Sequence, residues 1–226
     1  MALDTAKIKG IAFDAYGTLF NIASIDFLLE QLFDDRARQV AAQWRRKQLE
    51  YTWLRTLMGK YKDFYQLTED SLYYALEATN TEATEAQVRE LMQQYYHLAI
   101  YSEVKATLAR LKGKYRLAIL SNANPSLLEK AAAYNGLDEW LDGIISADQV
   151  RQYKPAPAVY QLAEKEMGLP AENLLFVSSN TWDVSGATAY GLQTAWVQRK
   201  HSVMEHLDVQ PAVTLANLAE LATLLP

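Results

Sequence analysis

Two short segments of the chain place a carboxylate directly after or close behind an apolar run. Asp14 follows the run IAF and opens the pentapeptide DAYGT, and Asp183 closes the hexapeptide SSNTWD, which comes after the run LLFV. A strand that ends in Asp-x-x-Gly-Thr is typical of an aspartate held at the carboxyl edge of a parallel sheet, where it can act as a nucleophile. The sequence therefore predicts covalent catalysis by Asp14.

Polar residues follow four of the predicted strands. Asp14 follows the first, Ser121 and Asn122 the second, Lys154 the third, and residues 178–183 the fourth. In an open parallel sheet, ligands bind outside the carboxyl ends of the strands. A turn usually requires only Gly, Pro, Asn, Asp or Ser. Polar residues at four strand ends, a lysine among them, therefore indicate an active site and not turns alone.

Short apolar runs alternate with helical patterns through most of the chain, which is typical of a parallel α/β sheet flanked by helices. The predicted strands cover residues 8–13, 115–120, 143–147, 173–178 and 194–198. Asn124 and Pro125 form an N-cap and first-turn pair, and Pro157 begins another helix. Gly168 and Gly191 are placed to end helices.

Residues 21–98 differ from the rest because they contain no strand-like run and no proline. The stretch 36–58 has the composition and period of one long helix, and a capping box begins at Thr84. We therefore predict an all-helical cap inserted into a Rossmann-like core. The predicted boundaries are 1–20 and 99–226 for the core and 21–98 for the cap.

Composition limits the classes of partner and chemistry. The 226 residues carry 22 Lys and Arg against 27 Asp and Glu, for a net charge of −5, and include no cysteine. This balance gives no electrostatic reason to expect nucleic acid or an anionic membrane as partner. The absence of cysteine excludes disulfides, thiolate nucleophiles and cysteine-bound metals. No apolar run approaches the roughly 20 residues of a membrane span, and we expect a cytoplasmic protein.

The chain resembles the haloacid dehalogenase superfamily and, within it, the L-2-haloacid dehalogenases of type II. The resemblance rests on five segments in matching order and spacing: FDAYGTLF, WRRKQLEYTWLR, LSNANP, YKPAPAVY and FVSSNTWD. It extends over essentially the whole chain. It implies a Rossmann-like core with a helical cap, hydrolysis of a carbon–halogen bond, and no metal or cofactor.

Two positions separate this sequence from phosphatases of the same superfamily. Phosphatases carry Asp-x-Asp-Gly-Thr, in which the second Asp protonates a departing alkoxide, whereas Tyr16 stands at that place here. They also hold Mg²⁺ with Gly-Asp-x-x-x-Asp, and Ser179 replaces one of those acids. A halide leaves without a proton, and Mg²⁺ requires hard oxygen ligands. Both positions therefore favour dehalogenation over phosphoryl transfer.

The resemblance implies a reaction in two steps. Asp14 attacks C2 of an (S)-2-haloacid and expels the halide with inversion, and water then hydrolyses the ester to an (R)-2-hydroxy acid. Lys154 would stabilise the carboxylate of Asp14, while Asn180 and Asp183 would position and activate the water. Hydrogen bonds that orient these groups would come from Thr18, Tyr160 and Ser178.

The resemblance also assigns the substrate pocket. Arg45 would meet the halide as it leaves, and Leu49 lies one turn further along the same helical face. An apolar wall that excludes water would consist of Tyr16, Leu49, Phe64 and Trp182. The substrate carboxylate would be bound by Ser121, Asn122 and the backbone N–H groups of Ala15 and Tyr16.

Two other functions stay open from the sequence: a small-molecule phosphatase of the same superfamily, and a non-catalytic relative that binds a ligand or partner. Tyr16 and Ser179 argue against the first, and the intact catalytic set argues against the second. The expected small-molecule partners are a 2-haloalkanoic acid and a halide ion. The aromatic-rich cap predicts a homodimer face. The sequence leaves the preferred halide and the chain length of the substrate open.

Overall fold

A six-stranded parallel sheet forms the centre of the protein. The computed structural model describes residues 3–199 and 202–225. The strands are β1 (Gly10–Phe13), β2 (Arg116–Ser121), β3 (Gly143–Ser146), β4 (Leu174–Ser178), β5 (Gln193–Val197) and β6 (Val213–Leu215). Their order is β3-β2-β1-β4-β5-β6, so the switch in strand order falls between β1 and β4. The two strands that precede Asp14 and Asp183 are therefore neighbours.

The register of β1 and β4 fixes where the chain leaves the sheet. Phe13 pairs with Val177 at the last step of the ladder. The N–H of Asp14 still donates to the carbonyl of Val177, at 2.9 Å. Asp14 is thus the first residue beyond the strand, and its backbone is held by the neighbouring strand.

Both faces of the sheet are covered, which explains why the five longer strands are mainly apolar. On β1, Phe13 points to one core and Ala12 to the other, as the two-residue period of a strand requires. The second core is closed by α7 (Pro157–Met167) and α8 (Thr181–Tyr190). The first core continues into Trp44 and Leu67, which belong to helices that lie between β1 and β2 in the chain.

These helices form what we call the helical segment, residues 23–96. It contains α1 (Ala23–Phe33), α2 (Ala37–Met58), α3 (Phe64–Ala78) and α4 (Glu85–Gln93), followed by a short 3₁₀ turn. The indole Nε1 of Trp44 donates to the carbonyl of Thr68 at 2.9 Å and ties α2 to α3. The remaining helices are α5 (Val104–Leu111), α6 (Pro125–Tyr134) and α9 (Leu218–Leu224).

The predicted α/β fold class is confirmed, and the five predicted strands lie within two residues of their predicted bounds. The long helix and the capping box at Thr84 are also confirmed. The short strand β6 and helix α9 were not predicted. Asn124 occupies the N-cap position of α6, but its side chain does not cap that helix. Its Oδ1 instead accepts from the backbone N–H of Tyr65 at 2.8 Å, which joins the helical segment to the sheet.

No helix in the described ranges is both long and apolar enough to cross a membrane.

Candidate active site

The carboxylate of Asp14 is buried and held on both oxygens. Its Oδ1 accepts from Nζ of Lys154 at 3.1 Å. Its Oδ2 accepts from Oγ1 of Thr18 at 3.0 Å and from Nδ2 of Asn180 at 2.9 Å. The hydroxyl of Ser178 makes a longer contact with the same oxygen, at 3.5 Å. These donors fix the carboxylate in one orientation beyond the end of β1.

Lys154 is fully buried, and all three protons of its ammonium group have acceptors. Besides Asp14, Nζ donates to Oδ2 of Asp183 at 2.9 Å and to the carbonyl of Leu120 at 2.7 Å. It also lies 4.7 Å from the ring centroid of Phe176. Burial alone lowers the pKa of Lys154, but Asp14 and Asp183 more than offset this, so the pKa lies above its usual value. The side chain is therefore a permanent cation.

Asp183 has no exposed surface and is the second carboxylate at this cation. Its Oδ1 accepts from the hydroxyl of Tyr160 at 2.8 Å, and its Oδ2 also accepts from Ser178 at 3.2 Å. Burial raises the pKa of Asp183 to about 6, with a further increase from the charge of Asp14 and a partial offset from Lys154. A carboxyl group with such a pKa can take a proton from water near neutral pH.

Helix α8 carries Asp183 to the site, and a glycine on this helix makes the approach possible. Asn180 is the N-cap residue of α8, and Asp183 lies in its first turn. A Cβ atom on Gly186 would lie 2.5 Å from Cβ of Pro155 and 2.6 Å from the hydroxyl of Tyr160. The absence of a side chain at residue 186 therefore lets α7 and α8 approach closely enough for Tyr160 to reach Asp183.

Arg45 extends from α2 in the helical segment to the residues at the sheet edge. Its Nη2 donates to Oδ1 of Asn180 at 3.3 Å, and its Nη1 donates to Oε1 of Gln48 at 2.8 Å. Arg45 and Tyr16 both border a small cavity of about 40 Å³ and a larger one of about 440 Å³. Arg45 is half-buried, and Asn180 alone separates its guanidinium from Asp14.

Aromatic rings form one wall of the site. Tyr16 stacks on Phe64 with centroids 6.1 Å apart, and its ring meets the edge of Tyr95 at 5.5 Å. The hydroxyl of Tyr16 is buried and has no hydrogen-bond partner among the described residues. Burial raises the pKa of Tyr16 well above its usual value, so this side chain stays neutral. Trp182 packs edge-on against Trp53 of α2, with centroids 5.9 Å apart.

The residues predicted to bind the substrate carboxylate lie at the ends of β1 and β2. Ser121 is buried, and its Oγ accepts from the backbone N–H of Ala123 at 3.2 Å. Oδ1 of Asn122 accepts from the backbone N–H of Lys154 at 2.8 Å. Ala15 is fully buried, and its carbonyl accepts N–H groups from the turn that follows. Asn122 therefore also holds the backbone of the lysine.

The structure brings eight residues predicted from the sequence into one connected network. They are Asp14, Thr18, Arg45, Lys154, Tyr160, Ser178, Asn180 and Asp183. Sequence reasoning missed Gln48, Trp53 and Tyr153. Trp53 could have been found, since Arg45, Leu49 and Trp53 repeat every four residues on one face of α2. Gln48 and Tyr153 carried no comparable signal.

Ser179, which stands where phosphatases carry an acid, makes structural hydrogen bonds in this chain. Oγ of Ser179 donates to the carbonyl of Gly17 at 2.8 Å, and its N–H donates to Oγ1 of Thr18 at 2.9 Å. These bonds tie the end of β4 to the turn after Asp14. Within residues 3–199 and 202–225, no three side chains of His, Cys, Asp or Glu lie close enough together to hold a metal ion.

The fold and this network agree with the comparison to known families. The model of a hydrolase family described as haloacid dehalogenase-like hydrolase matches residues 8–191. The chain belongs to this family, which confirms the resemblance found in the sequence.

Similar proteins share most of their length with this chain. The (S)-2-haloacid dehalogenase 2 of Pseudomonas sp. (strain CBS-3) is 41% identical over 220 residues, 97% of this chain and 96% of that protein. The structure of an L-2-haloacid dehalogenase superposes with a TM-score of 0.94 at 39% identity, covering 96% of this chain and 98% of the other. The L-2-haloacid dehalogenase from Xanthobacter autotrophicus with chloropropionic acid covalently bound has a TM-score of 0.90 at 34% identity, with the same coverage.

Proposed function

We propose that this protein hydrolyses (S)-2-haloacids to (R)-2-hydroxy acids with inversion, through an ester on Asp14. The observation that carries the proposal is a buried carboxylate at the end of β1 that touches Lys154, with Tyr16 where a phosphatase carries its acid. The names of the similar enzymes support the choice of substrate class, and the covalent chloropropionic acid complex supports an ester intermediate.

In the first step, an oxygen of Asp14 forms a bond to C2 of the substrate as the carbon–halogen bond breaks, and the electron pair leaves with the halide. Lys154, Thr18 and Asn180 hold the carboxylate in place for in-line attack. Donors already arranged around the carboxylate need no reorganisation during the reaction.

Arg45 stabilises the negative charge that develops on the halide. Its guanidinium contacts Asn180, whose amide contacts Asp14, so the cation lies one side chain away from the nucleophile. It also borders the cavity of about 440 Å³, which has room for the departing halide. The rings of Tyr16, Phe64 and Trp182, together with Leu49, exclude bulk water from this step. Ser121, Asn122 and the N–H groups of Ala15 and Tyr16 bind the substrate carboxylate.

In the second step, water adds to Cγ of Asp14 and one of its protons goes to Asp183. The bond from Cγ to the substrate oxygen then breaks, and this oxygen takes the proton back from Asp183 to become the hydroxyl of the product. The second proton of the water, on the new oxygen of Asp14, is released to solvent. Burial raises the pKa of Asp183 and acts in the ester as well as in the free protein, which supports its role as proton acceptor. Tyr160 and Ser178 keep its carboxylate oriented. The hydroxyl oxygen of the product thus comes from Asp14, and Asp14 regains an oxygen from water.

The proposed reaction needs no metal or other cofactor. The ammonium group of Lys154 already contacts both Asp14 and Asp183 and supplies the positive charge between them. Tyr16 and Ser179 stand where phosphatases carry acids. A phosphatase assay with a generic phosphate ester and Mg²⁺, beside halide release from L-2-chloropropionate with EDTA, separates the two functions. Phosphate turnover without halide release would overturn the proposal.

A homodimer through the helical segment is part of the proposal. Leu57, Met58 and Tyr73 are at least half exposed on α2 and α3. Where such side chains adjoin in one patch, another protein commonly covers them. Sedimentation velocity should give twice the chain mass of 25.6 kDa. Sedimentation as a single chain across the micromolar range would exclude the dimer.

The decisive test of the mechanism is a single turnover in ¹⁸O-water with enzyme in excess over L-2-chloropropionate. We expect the heavy oxygen in the peptide that contains Asp14 and unlabelled 2-hydroxy acid. Label in the product after one turnover would mean that water attacks C2 directly. Asp14→Asn should abolish halide release and keep the far-UV spectrum of the folded protein.

A further inference from the structure

Tyr153 bridges the helical segment and the catalytic lysine that follows it. Its side chain is buried, with only 1% exposed. Its backbone N–H donates to Oγ1 of Thr56 on α2 at 3.0 Å, and its hydroxyl donates to the carbonyl of Lys62, between α2 and α3, at 2.5 Å. The N–H and the hydroxyl of this residue therefore both bond to the helical segment, whereas its carbonyl accepts from the N–H of Ala156.

The ring of Tyr153 also packs against the helical segment. It stacks on Tyr61 with centroids 5.3 Å apart and lies 6.4 Å from Phe64, the ring that stacks on Tyr16. The hydroxyl of Tyr61 in turn donates to Oδ1 of Asp148, which follows β3. The contact between the helical segment and the sheet is thus made by a residue from each side, Tyr61 from the segment and Tyr153 from the loop after β3.

The next residue belongs entirely to the sheet side. The backbone N–H of Lys154 donates to Oδ1 of Asn122, and its Nζ contacts Asp14 and Asp183. Adjacent Cα atoms are about 3.8 Å apart across a planar peptide. A shift of the helical segment that pulls on Tyr153 therefore moves the backbone of Lys154. A displacement of about 1 Å at a catalytic group can lower a rate about 100-fold.

We infer that Tyr153 is a positioning residue, which places Lys154 only when the helical segment is seated on the sheet. The inference rests on the proposed function for its catalytic consequence, since Lys154 matters there as the cation beside the nucleophile. Seating the segment would thus both close the site and complete it. Ordinary core packing needs only the ring, whereas this role also needs the hydroxyl and the N–H to reach the helical segment.

Two conservative variants test the two bonds separately. Tyr153→Phe removes the hydroxyl and keeps the ring, and Thr56→Val removes the acceptor of the N–H and keeps the shape of the side chain. Tyr134→Phe on α6 is the control, because Tyr134 is 61% exposed. The measurements are kcat and KM for halide release, the thermal midpoint, and amide hydrogen exchange of a peptide covering residues 150–158. Pro155 and Pro157 carry no amide, so few positions contribute to that signal.

For Tyr153→Phe and Thr56→Val we expect kcat to fall at least tenfold, with KM changed less than threefold. We also expect exchange in the 150–158 peptide to quicken at least fivefold, and the control to match the parent protein. If amide exchange of the 150–158 peptide is unchanged in both variants, the inference is overturned. It is also overturned if exchange is faster while kcat stays equal to that of the parent protein. If Tyr153→Phe does not fold, Thr56→Val decides alone. If the parent protein releases no halide, the proposed function is refuted instead. The exchange measurement would then still decide whether the helical segment is coupled to the backbone at Lys154.

Discussion

Lys154 and Asp183 form an ion pair that is closed to solvent, with 1% and 0% of the side chains exposed and 2.9 Å between Nζ and Oδ2. The same ammonium group also contacts Asp14. One cation is therefore shared by two buried carboxylates. Removing one partner from a buried ion pair leaves a charge without compensation, which destabilises a protein far more than the loss of a surface pair. The stability of the fold and, in the proposed reaction, catalysis consequently depend on the same lysine.

Replacing Lys154 with methionine should make stability depend strongly on pH. Without the cation, burial and the charge of Asp14 raise the pKa of Asp183 further above that of the unfolded chain. Groups whose pKa is raised on folding lose their stabilising contribution as pH rises. We expect Lys154→Met to lower the free energy of unfolding by about 3–5 kcal/mol at pH 8 and by clearly less at pH 5. Urea unfolding across this range measures both values.

The matched control for that experiment is Lys112→Met. Lys112 pairs with Asp142 at the surface, with about a third of each side chain exposed. Its loss should change the free energy of unfolding by under about 1 kcal/mol. An equal loss of stability at pH 5 and pH 8 in Lys154→Met would show that packing, and not charge, is what the lysine supplies.

The rate of ester hydrolysis should fall as Asp183 becomes protonated. Burial raises its pKa to about 6 in the free protein, where the charge of Asp14 adds to the increase. That charge is lost when Asp14 becomes an ester, so the pKa of Asp183 is lower in the ester. We expect the hydrolysis rate to be constant above pH 6 and to drop about tenfold per pH unit once the pH lies below the pKa of Asp183 in the ester. Rapid-quench measurement of product formation between pH 4.5 and 8 tests this. In Asp183→Asn the ester should accumulate on Asp14 and be visible by mass spectrometry. Hydrolysis in Asp183→Asn at the parent rate, with no accumulated ester, would exclude Asp183 as the base.

Replacing Gly186 with alanine should impair the site, although alanine is the better helix-forming residue. In an unconstrained helix, glycine to alanine gains about 1 kcal/mol. Here the added Cβ would meet Pro155 at 2.5 Å and the hydroxyl of Tyr160 at 2.6 Å, and overpacking of this kind costs about 1–3 kcal/mol. We expect Gly186→Ala to be less stable in thermal unfolding and at least tenfold slower. Adding Tyr160→Phe should recover part of the stability and none of the rate. A more stable Gly186→Ala protein would contradict this account of the helix contact.

Two neighbouring arginines should behave differently toward halide release. Arg45 contacts Asn180 at the site, whereas Arg46 is exposed and donates to Gln43 on its own helix. Loss of one donor that stabilises a developing charge lowers a rate by about 100–1,000-fold. We expect Arg45→Gln to lower the rate of the halide-release burst by that factor. Arg46→Gln should change the same rate by less than about twofold. Equal effects of the two variants would mean that the general charge of α2 is what matters.

The fold could be predicted where local patterns are strong. Continuous apolar runs mark the five longer strands, because both faces of a parallel sheet are buried. The three residues of β6 include an exposed threonine and carry no such pattern. The hydrogen-bond partner of Asn124 could not be predicted either. Its N-cap position follows from Pro125, but its actual bond partner is Tyr65, 59 residues away in the chain.

The sequence by itself determined the chemical groups and the strand ends that carry them, since the apolar runs place Asp14, Lys154 and Asp183 at one edge of the sheet. Tyr16 and Ser179 likewise argued against phosphatase chemistry from the sequence alone. Only the tertiary structure decided that one ammonium group contacts both carboxylates, and that Tyr153 ties that lysine to the helical segment. The physical reason is that periodicity and capping report local environment. The distance between two side chains depends instead on the packing of elements far apart in the chain.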